Sequence, residues 1–346
     1  MSSTTYDAVL LVSFGGPEGR EQVMPFLENV TRGRNVPRQR LLEVAEHYER
    51  FGGASPINAQ CRRLLGALRQ RMDQRGLALP LYWGNRNWHP LLEHTVAQMA
   101  TDGVRRALAF VTSAYSSYSS CRQYLEDLQR ACRPLGERAP RIDKIRPFYN
   151  HPQFVEVMRL RTVEALRQLP SPAQEVPTRV VFTAHSLPLS QARQCAYVEQ
   201  LQELAAWVAQ AAGVPRWDLV YQSRSGPPQV PWLEPDVLDH LRSLPPQGVR
   251  QVVLVPLGFV SDHMEVIYDL DVEAGELCRE LGLAMVRAGT AGVHPLFVEM
   301  IVDLIQERLT GAEPACVPGS APWPQPCPED CCPRPQPQAA LGRSRR

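Results

Sequence analysis

The sequence predicts an α/β protein with two Rossmann-like, doubly wound domains, each with a four-stranded parallel sheet, followed by a Cys/Pro-rich C-terminal tail. Three observations predict this architecture. Short apolar runs end at glycines or small polar residues, segments with helical periodicity lie between those runs, and the composition changes at Gly311. A chain of 346 residues is long enough for two domains of ordinary size.

The first apolar run, residues 8–14, ends at Gly15, Gly16 and Pro17, which is typical of a strand buried on both faces. The same pattern recurs at residues 79–83, 107–111, 180–183, 219–221 and 252–257. Helical patterns occupy residues 41–50, 62–74, 91–101, 154–168, 195–212 and 237–244. The alternation indicates parallel sheets with helices on both faces.

A stretch rich in proline, arginine and glycine, residues 133–146, separates the two series. We therefore expect an N-terminal domain over residues 1–146 and a C-terminal domain over residues 147–310, whose last helix can pack on the first domain. Residues 311–346 contain nine prolines and four cysteines, and they should be extended or disordered unless other residues hold them. In open parallel sheets, ligands bind beyond the carboxyl ends of the strands.

Charge and composition exclude several classes of partner. Lys and Arg number 37 against 36 Asp and Glu, so there is no basic excess and no nucleic-acid partner is expected. No apolar stretch approaches the roughly 20 residues of a membrane-spanning helix, and residues 1–7 lack the pattern of a secretory signal. We expect a cytoplasmic protein without membrane insertion, whose nine cysteines are reduced thiols or metal ligands.

His185 follows the predicted strand at residues 180–183 and should face a cleft between the domains. A neutral imidazole in such a place can accept a proton or bind a metal ion. The alternative is a histidine whose hydrogen bonds are satisfied within its own loop, which is the common situation for a single histidine.

Glu265, Asp269 and Glu273 follow another predicted strand end and are spaced by four residues, beside His263. On an α-helix they share one face but drift by about 40° per step, and a π-type turn would align them better. The alternative is a solvated acidic face. The place of the row at a strand end indicates a cation path or a proton relay.

Other strand-end segments are rich in small polar and aromatic residues, notably residues 112–124 and 221–228. The first segment can bind a flat ligand or simply cap a helix. No glycine cluster matches a Walker phosphate loop or a G-x-G-x-x-G fingerprint, which disfavours a nucleotide-dependent enzyme.

Four cysteines of the tail, Cys316, Cys327, Cys331 and Cys332, lie within seventeen residues. Thiols grouped on a segment that cannot fold alone indicate a metal or iron–sulfur site, with a further ligand from the folded body. Their spacing matches neither a zinc ribbon nor a ferredoxin run. A Cys-rich tail without a bound group is the alternative.

Six strand-end segments, taken together and in order, resemble the ferrochelatase family: residues 13–17, 51–58, 184–188, 221–223, 231–233 and 258–265. Each segment alone is weak evidence for the family, but the ordered set is highly specific to it and spans about residues 6–310. The resemblance implies a chelatase-like pair of Rossmann-like domains without a nucleotide. It also implies insertion of ferrous iron, as substrate, into a porphyrin.

The resemblance assigns roles to the acidic row and the histidine. It implies that His185 takes part in proton abstraction and metal binding and that Glu265 pairs with it across the cleft. Asp269 and Glu273 match the family's carboxylate row along a π-helix and would contact the metal or relay protons. His185, Glu265, Asp269 and Glu273 are thus the candidate metal-contacting set, with His185 and Glu265 catalytic.

The candidate porphyrin contacts are Ser55, Tyr124, Phe14 and Arg32. Ser55 and Tyr124 stand where bacterial members contact the porphyrin, and Phe14 replaces a tyrosine that ligates haem iron in some relatives. Residues 31–50 lack the apolar lip of membrane-bound relatives, which indicates a more polar, four-carboxylate porphyrin. Arg32, with Arg34 and Arg38, either meets propionates or is a solvated surface arginine.

Residues 85–88 and 113–124 resemble the actinobacterial branch, whose members act on coproporphyrin III and form coprohaem. Many members carry a [2Fe–2S] cluster on one internal and three C-terminal cysteines. Cys121 stands at the internal position, and the tail offers four thiols for three places. The expected partners are coproporphyrin III and Fe(II), with a transient handover to the next haem-pathway enzyme, and the expected state is a monomer.

Three other functions stay open. One is a ferrochelatase that acts on protoporphyrin IX, and another is a cobalt or nickel chelatase for a corrin precursor, with the same fold and cleft histidine. The third is a haem-binding or iron–sulfur sensing protein without turnover. Bound haem without catalysis would identify that third class.

Overall fold

The computed structural model describes residues 5–33, 36–226, 229–328 and 330–335. Within these ranges, eight strands form two four-stranded sheets in which every pairing is parallel. Helices connect the strands and cover the sheets. The predicted α/β fold class with two doubly wound four-stranded sheets is confirmed.

The first sheet has the order β2-β1-β3-β4. Its strands are β1 (Ala8–Ser13), β2 (Leu81–Asn85), β3 (Arg106–Val111) and β4 (Arg141–Lys144). The α-helices of this half are α1 (Arg20–Val30), α2 (Arg38–Glu49), α3 (Ile57–Gln74), α4 (Leu92–Thr101) and α5 (Gln123–Cys132). A π-helix (Tyr118–Arg122) precedes α5, and a 3-10 helix (Arg133–Arg138) follows it. All residues of β1 are buried, as the continuous apolar run predicts.

The second sheet repeats this topology with the order β6-β5-β7-β8. Its strands are β5 (Thr178–His185), β6 (Trp217–Gln222), β7 (Gln251–Val255) and β8 (Ala284–Arg287). The α-helices are α6 (Pro152–Arg167), α7 (Leu189–Ala192), α8 (Tyr197–Ala211), α9 (Val237–Ser243), α10 (Met264–Val266), α11 (Gly275–Glu280) and α12 (Pro295–Thr310). A 3-10 turn (Pro245–Gln247) follows α9, and a π-helix (Ile267–Ala274) joins α10 to α11.

The edge strands β4 and β8 differ from what the apolar runs predict. β4 lies inside residues 133–146, which the sequence marks as a separating stretch, and β8 lies where no strand is predicted. Each strand has only four residues, is only partly buried, and includes charged side chains. Short edge strands of this kind lack the apolar signal that identifies buried strands.

Helix α12 lies against α3, which belongs to the first half of the chain. The Glu299 carboxylate of α12 contacts the guanidinium groups of Arg71 and Arg75 on α3. Phe297 of α12 packs against Phe110 of β3 with ring centroids 6.3 Å apart. The last helix therefore covers part of the first sheet.

The described part of the tail has no helix or strand, yet side chains of the body hold it. Arg146, only 2% exposed, pairs with Glu307 at 3.1 Å and donates to the carbonyl of Ala315 at 2.8 Å. Asn150 Nδ2 donates to the carbonyl of Ala321 at 2.9 Å. These buried polar groups replace the apolar core that the tail's composition cannot supply.

No helix of the described ranges combines the length and the apolar character that are needed to cross a membrane.

Candidate functional site

The candidate site lies beyond the carboxyl ends of β5, β6 and β7. His185 is the last residue of β5, and the backbone N–H of Gly258, just after β7, donates to the carbonyl of Thr183 at 2.9 Å. A Cβ at Gly258 would stand 2.7 Å from Ala184 Cα. The loop that leads to Glu265 therefore lies directly against the strand end that carries His185.

His185 and Glu265 form an ion pair, with Nε2 and Oε2 3.6 Å apart. Their side chains are 31% and 45% exposed, so solvent and ligands reach the pair. His185 Nδ1 lies 2.5 Å from the carbonyl oxygen of Ser186, and the Tyr197 hydroxyl donates to the carbonyl of His185 at 3.1 Å. Because a carbonyl oxygen only accepts, Nδ1 carries a proton and Nε2 is the atom that faces the cleft.

The pair shifts the pKa of both members. Burial lowers the pKa of His185, but the neighbouring Glu265 carboxylate outweighs burial and raises that pKa to about 9. Burial raises the pKa of Glu265, but the His185 charge outweighs it and lowers the pKa to about 2. At neutral pH, the resting pair is an imidazolium and a carboxylate.

Two of the three carboxylates of the acidic row lie on the predicted π-type turn. Glu265 belongs to the short helix α10, and Asp269 and Glu273 belong to the π-helix Ile267–Ala274. His263 caps this helix, because its Nδ1 accepts from the N–H of Glu265 at 3.2 Å. The prediction of a π-helix here is confirmed, and such turns are frequent at functional sites.

Asp269 is held by two side chains of the β6 end. The Ser223 hydroxyl donates to Asp269 Oδ2 at 2.5 Å, and Gln222 Nε2 donates to the same oxygen at 3.4 Å and to the Glu265 carbonyl. Burial raises the pKa of Asp269 to about 7, although the Ser223 hydrogen bond opposes the shift. Burial also raises the pKa of Glu273, with Asp236 as the next cause.

The side chain of Arg86 contacts the aromatic rings of both Phe14 and Tyr124. The Arg86 guanidinium lies 5.9 Å from the centroid of the Phe14 ring and 5.0 Å from that of Tyr124. Phe14 is 36% exposed, whereas Tyr124 is only 5% exposed beneath Arg86. Arg86 Nε pairs with the buried Asp127 carboxylate at 2.9 Å. Arg86 carries no local sequence signal for this role, since its partner Asp127 is distant in the sequence.

The other predicted porphyrin contacts, Ser55 and Arg32, also belong to the first half of the chain. Ser55 is buried, and a Cβ at Gly16 would stand 2.7 Å from its Cβ. Arg32 is exposed just after α1, and Arg38 pairs with Glu28 at 3.3 Å. Arg34 lies outside the described residues.

Helix α2 reaches across to the π-helix. The His47 and Tyr268 rings stack with centroids 3.7 Å apart and an interplanar angle of 8°. Tyr48 of α2 and Phe26 of α1 belong to one apolar cluster with Met264 of α10. The first half of the chain therefore contacts the helix that carries the acidic row.

The predicted cluster cysteines fall into two groups. The Sγ atoms of Cys331 and Cys332 are 3.6 Å apart. Arg122, which follows the buried Cys121, donates to the carbonyl of Cys331 at 3.2 Å and to that of Pro328, next to Cys327, at 3.3 Å. Cys316 lies apart, beside Asn150, Arg146 and Glu307. Among the described residues, no three His, Cys, Asp or Glu side chains surround one point as ligands of a single metal ion do.

Comparison with known proteins assigns the chain to a family. The sequence profile of the ferrochelatase family matches residues 6–309, which include every strand and the acidic row. The chain belongs to the ferrochelatase family.

Relatives within the ferrochelatase family match nearly the whole chain. A ferrochelatase of Rhodopirellula baltica is 54% identical and aligns over 98% of this chain and 97% of its own length. The coproporphyrin III ferrochelatase of Nocardia farcinica is 49% identical, over 97% of this chain and 99% of its own. That of Mycolicibacterium smegmatis is 51% identical, over 92% and 95%.

Solved structures share the fold at low sequence identity. SirB from Bacillus subtilis with Fe3+ aligns with a TM-score of 0.53 at 12% identity, over 89% of this chain and 97% of its own. DR2241 from Deinococcus radiodurans, described as structurally similar to chelatases, aligns with a TM-score of 0.52 at 16% identity, over 89% and 56%. These likenesses confirm the predicted chelatase-like fold.

Proposed function

We propose that the protein inserts ferrous iron into coproporphyrin III and forms coprohaem. One observation carries the chemistry. The half-buried His185–Glu265 pair lies at the strand ends, and two further carboxylates, Asp269 and Glu273, follow it on a π-helix. The coproporphyrin III ferrochelatases that are 49% and 51% identical to this chain support the choice of substrate. Membership of the ferrochelatase family supports the reaction.

His185 Nε2 is the proposed proton acceptor. The Ser186 carbonyl holds the proton of Nδ1, so loss of the other proton leaves the lone pair of Nε2 facing the cleft. The resting imidazolium must first release that proton, and an approaching cation favours the release by repulsion. The neutral ring then accepts a pyrrole proton as the metal replaces it.

Glu265 and the two carboxylates of the π-helix form the proposed route by which protons leave His185. We propose that the metal ion reaches the porphyrin along the same carboxylates. Glu265 contacts His185 directly, and Asp269, with a pKa of about 7, exchanges protons readily at neutral pH. Glu273 continues the row on the same helix. Nitrogen and carboxylate oxygen are suitable ligands for Fe(II), so these four side chains can replace its water molecules stepwise.

The porphyrin is proposed to bind between the two sheets. Phe14 offers an exposed ring at the end of β1, and Ser55 and Arg32 lie on the same half of the chain. Tyr124 contacts the porphyrin only if Arg86, which covers it, moves. Arg32 is proposed to pair with a propionate.

We propose a [2Fe–2S] cluster on Cys121, Cys327, Cys331 and Cys332. In support, the Sγ atoms of Cys331 and Cys332 are 3.6 Å apart, and Arg122, next to Cys121 in the sequence, donates hydrogen bonds to the carbonyls of Cys331 and Pro328. Cys316, beside Asn150 and Arg146, is not included. When bound, such a cluster supplies a crosslink between tail and body or one-electron chemistry.

We further propose that the protein is a cytoplasmic monomer of two domains, residues 1–146 and 147–310, and that it releases coprohaem directly to the next haem-pathway enzyme. Size-exclusion chromatography with light scattering tests the monomer. A dimer at micromolar concentration would overturn it.

The deciding experiment is anaerobic incubation with ferrous iron and either coproporphyrin III or protoporphyrin IX, followed by loss of porphyrin fluorescence. Faster loss with coproporphyrin III is the expected result. Equal or faster loss of fluorescence with protoporphyrin IX would support iron insertion as the reaction but would contradict coproporphyrin III as the substrate. Stoichiometric haem binding without turnover of either porphyrin would indicate a sensing protein.

A further inference from the structure

Arg287, the last residue of β8, contacts two carboxylates of the segment that carries the acidic row. Its Nε and Nη2 donate to the two carboxylate oxygens of Asp271 at 2.5 and 2.9 Å, and its Nη1 donates to Asp262 Oδ1 at 3.1 Å. Asp262 precedes Glu265 in the chain, and Asp271 follows Asp269 on the π-helix. One guanidinium, on a side chain only 16% exposed, therefore joins the two ends of this segment.

The other edge of the second sheet holds the same segment. The sheet has the order β6-β5-β7-β8, so β6 and β8 are its two edge strands. At the end of β6, Gln222 donates to the Glu265 carbonyl, and Ser223 donates to Asp269. At the end of β8, Arg287 donates to Asp271. The π-helix is thus held from both edges.

Asp262 also connects this segment to the first half of the chain. Its backbone N–H donates to Oε1 of Gln60 on α3 at 3.0 Å, while its carboxylate accepts from Arg287. Helix α3 begins just after Ser55, a proposed porphyrin contact. A continuous series of hydrogen bonds therefore runs from the proposed porphyrin-binding half to the π-helix.

We propose that Arg287 is a positioning residue for iron insertion, which sets the place of the π-helix carboxylates relative to the bound porphyrin. The inference rests on the proposed function, in which Asp269 and Glu273 lie on the path of protons and metal. A guanidinium suits this role because its planar fork bonds one carboxylate with two N–H groups while another N–H reaches a second carboxylate.

The positioning role and the charge of Arg287 predict opposite effects on the metal. A positive charge beside the acidic row repels Fe(II), so loss of the charge alone would favour the approach of the metal. Loss of positioning moves the carboxylates out of place and weakens their contact with the metal. A lysine keeps the charge, but its compact ammonium group does not reproduce the fork. R287K therefore separates the two effects.

The test compares the full chain in wild type, R287M, R287K, D271A and the double variant R287M/D271A. Asp271 is 38% exposed, so alanine there leaves the core intact. R242M is the matched control, because it also removes an arginine that pairs with an aspartate, at 2.8 Å and at the surface. Anaerobic rates at varied Fe(II) and varied coproporphyrin III give both KM values. Hydrogen exchange across residues 262–274, followed by mass spectrometry, measures how firmly the segment is held without any turnover.

R287M and D271A are each expected to raise the KM for Fe(II) about tenfold while leaving the KM for coproporphyrin III unchanged. Both should speed hydrogen exchange across residues 262–274. The double variant should be no worse than R287M, because the two substitutions remove the same contact. R287K should resemble R287M, and R242M should match wild type.

An unchanged or lower KM for Fe(II) in R287M would overturn the inference, as would an R287K variant that matches wild type. Equal rises in both KM values would indicate a general loss of structure and would also overturn it. Wild-type hydrogen exchange in R287M would overturn the positioning role whatever the activity. A wild-type chain that inserts no iron would instead overturn the proposed reaction.

Discussion

The Ser223 hydroxyl donates a 2.5 Å hydrogen bond to Asp269 Oδ2 from a backbone with φ of +61°, a value that residues other than glycine rarely adopt. The unusual conformation places the hydroxyl against the π-helix. The bond favours the ionised form of Asp269 and opposes the effect of burial.

Removing this donor should change the pH dependence of iron insertion. S223A is expected to raise the pKa of Asp269 further, because it removes the hydrogen bond by which Ser223 stabilises the ionised carboxylate. The acidic limb of the pH–rate profile should move upward by about one pH unit. S225A, at a nearby exposed residue, is the matched control, and superimposable profiles for S223A and wild type would contradict the relay.

H185A should lower the rate of iron insertion by about 10²- to 10⁴-fold, because a positioned base contributes that much to proton transfer. E265Q should also slow the reaction, since the acidic row then loses the carboxylate that contacts His185 and begins the proposed path for protons and metal. Stopped-flow porphyrin fluorescence measures both rates, and circular dichroism checks that the variants fold. Full activity of H185A would remove His185 from the mechanism.

D269N should become more stable relative to wild type as the pH rises from 4 to 8. The folded-state pKa of Asp269 is about 7, above its ordinary value of 3.8, so ionisation costs the folded state stability. The wild-type protein therefore keeps its full stability below about pH 4, where Asp269 is protonated in both states, and loses stability as the pH rises through 7. Thermal unfolding midpoints across this range test it, with D239N at an exposed helix position as control. A difference that does not vary with pH would refute the shift.

R86M should destabilise the protein by about 3 kcal/mol, because it leaves the buried Asp127 carboxylate without its less exposed partner. Arg130 pairs with the same carboxylate at 2.5 Å but is 69% exposed, so R130M should cost under about 1 kcal/mol. Urea unfolding measures both. Equal losses for the two variants would show that the buried position of Arg86 is unimportant.

E307Q should release the tail from the body. The substitution leaves the guanidinium of Arg146, which is 2% exposed, facing a neutral amide, and the Glu307 bond to the Ala315 N–H weakens. We expect limited proteolysis to cut after Gly311 several times faster than in wild type, while E313Q, on the exposed start of the tail, leaves the rate unchanged. Equal cleavage rates would show that other contacts hold the tail.

The buried strands and the π-helix were predictable because their signals are local. The apolar run of β1 and the four-residue spacing of Glu265, Asp269 and Glu273 are visible in the sequence. Strands β4 and β8 were not predictable from the sequence. A short edge strand needs no apolar pattern, because its backbone pairing with the neighbouring strand is what makes it a strand.

The contacts within the site depend on residues far apart in the sequence. Ser223 meets Asp269, and Arg86 meets Asp127, only after the sheets have formed. The burial of Tyr124 beneath Arg86 has the same origin. Spacing within one segment carries no information about such partners, whereas the ordered set of segments identified the family.

Helix α12 has a consequence for biosynthesis on the ribosome. The helix follows all eight strands of the two sheets in the sequence, yet Phe297 packs on Phe110 of β3 and Glu299 contacts two arginines of α3. The first half therefore cannot acquire its native covering until residues 295–310 have been synthesised. During elongation, an apolar face of the nascent sheet stays open to chaperones, and a prematurely terminated product would keep that face uncovered.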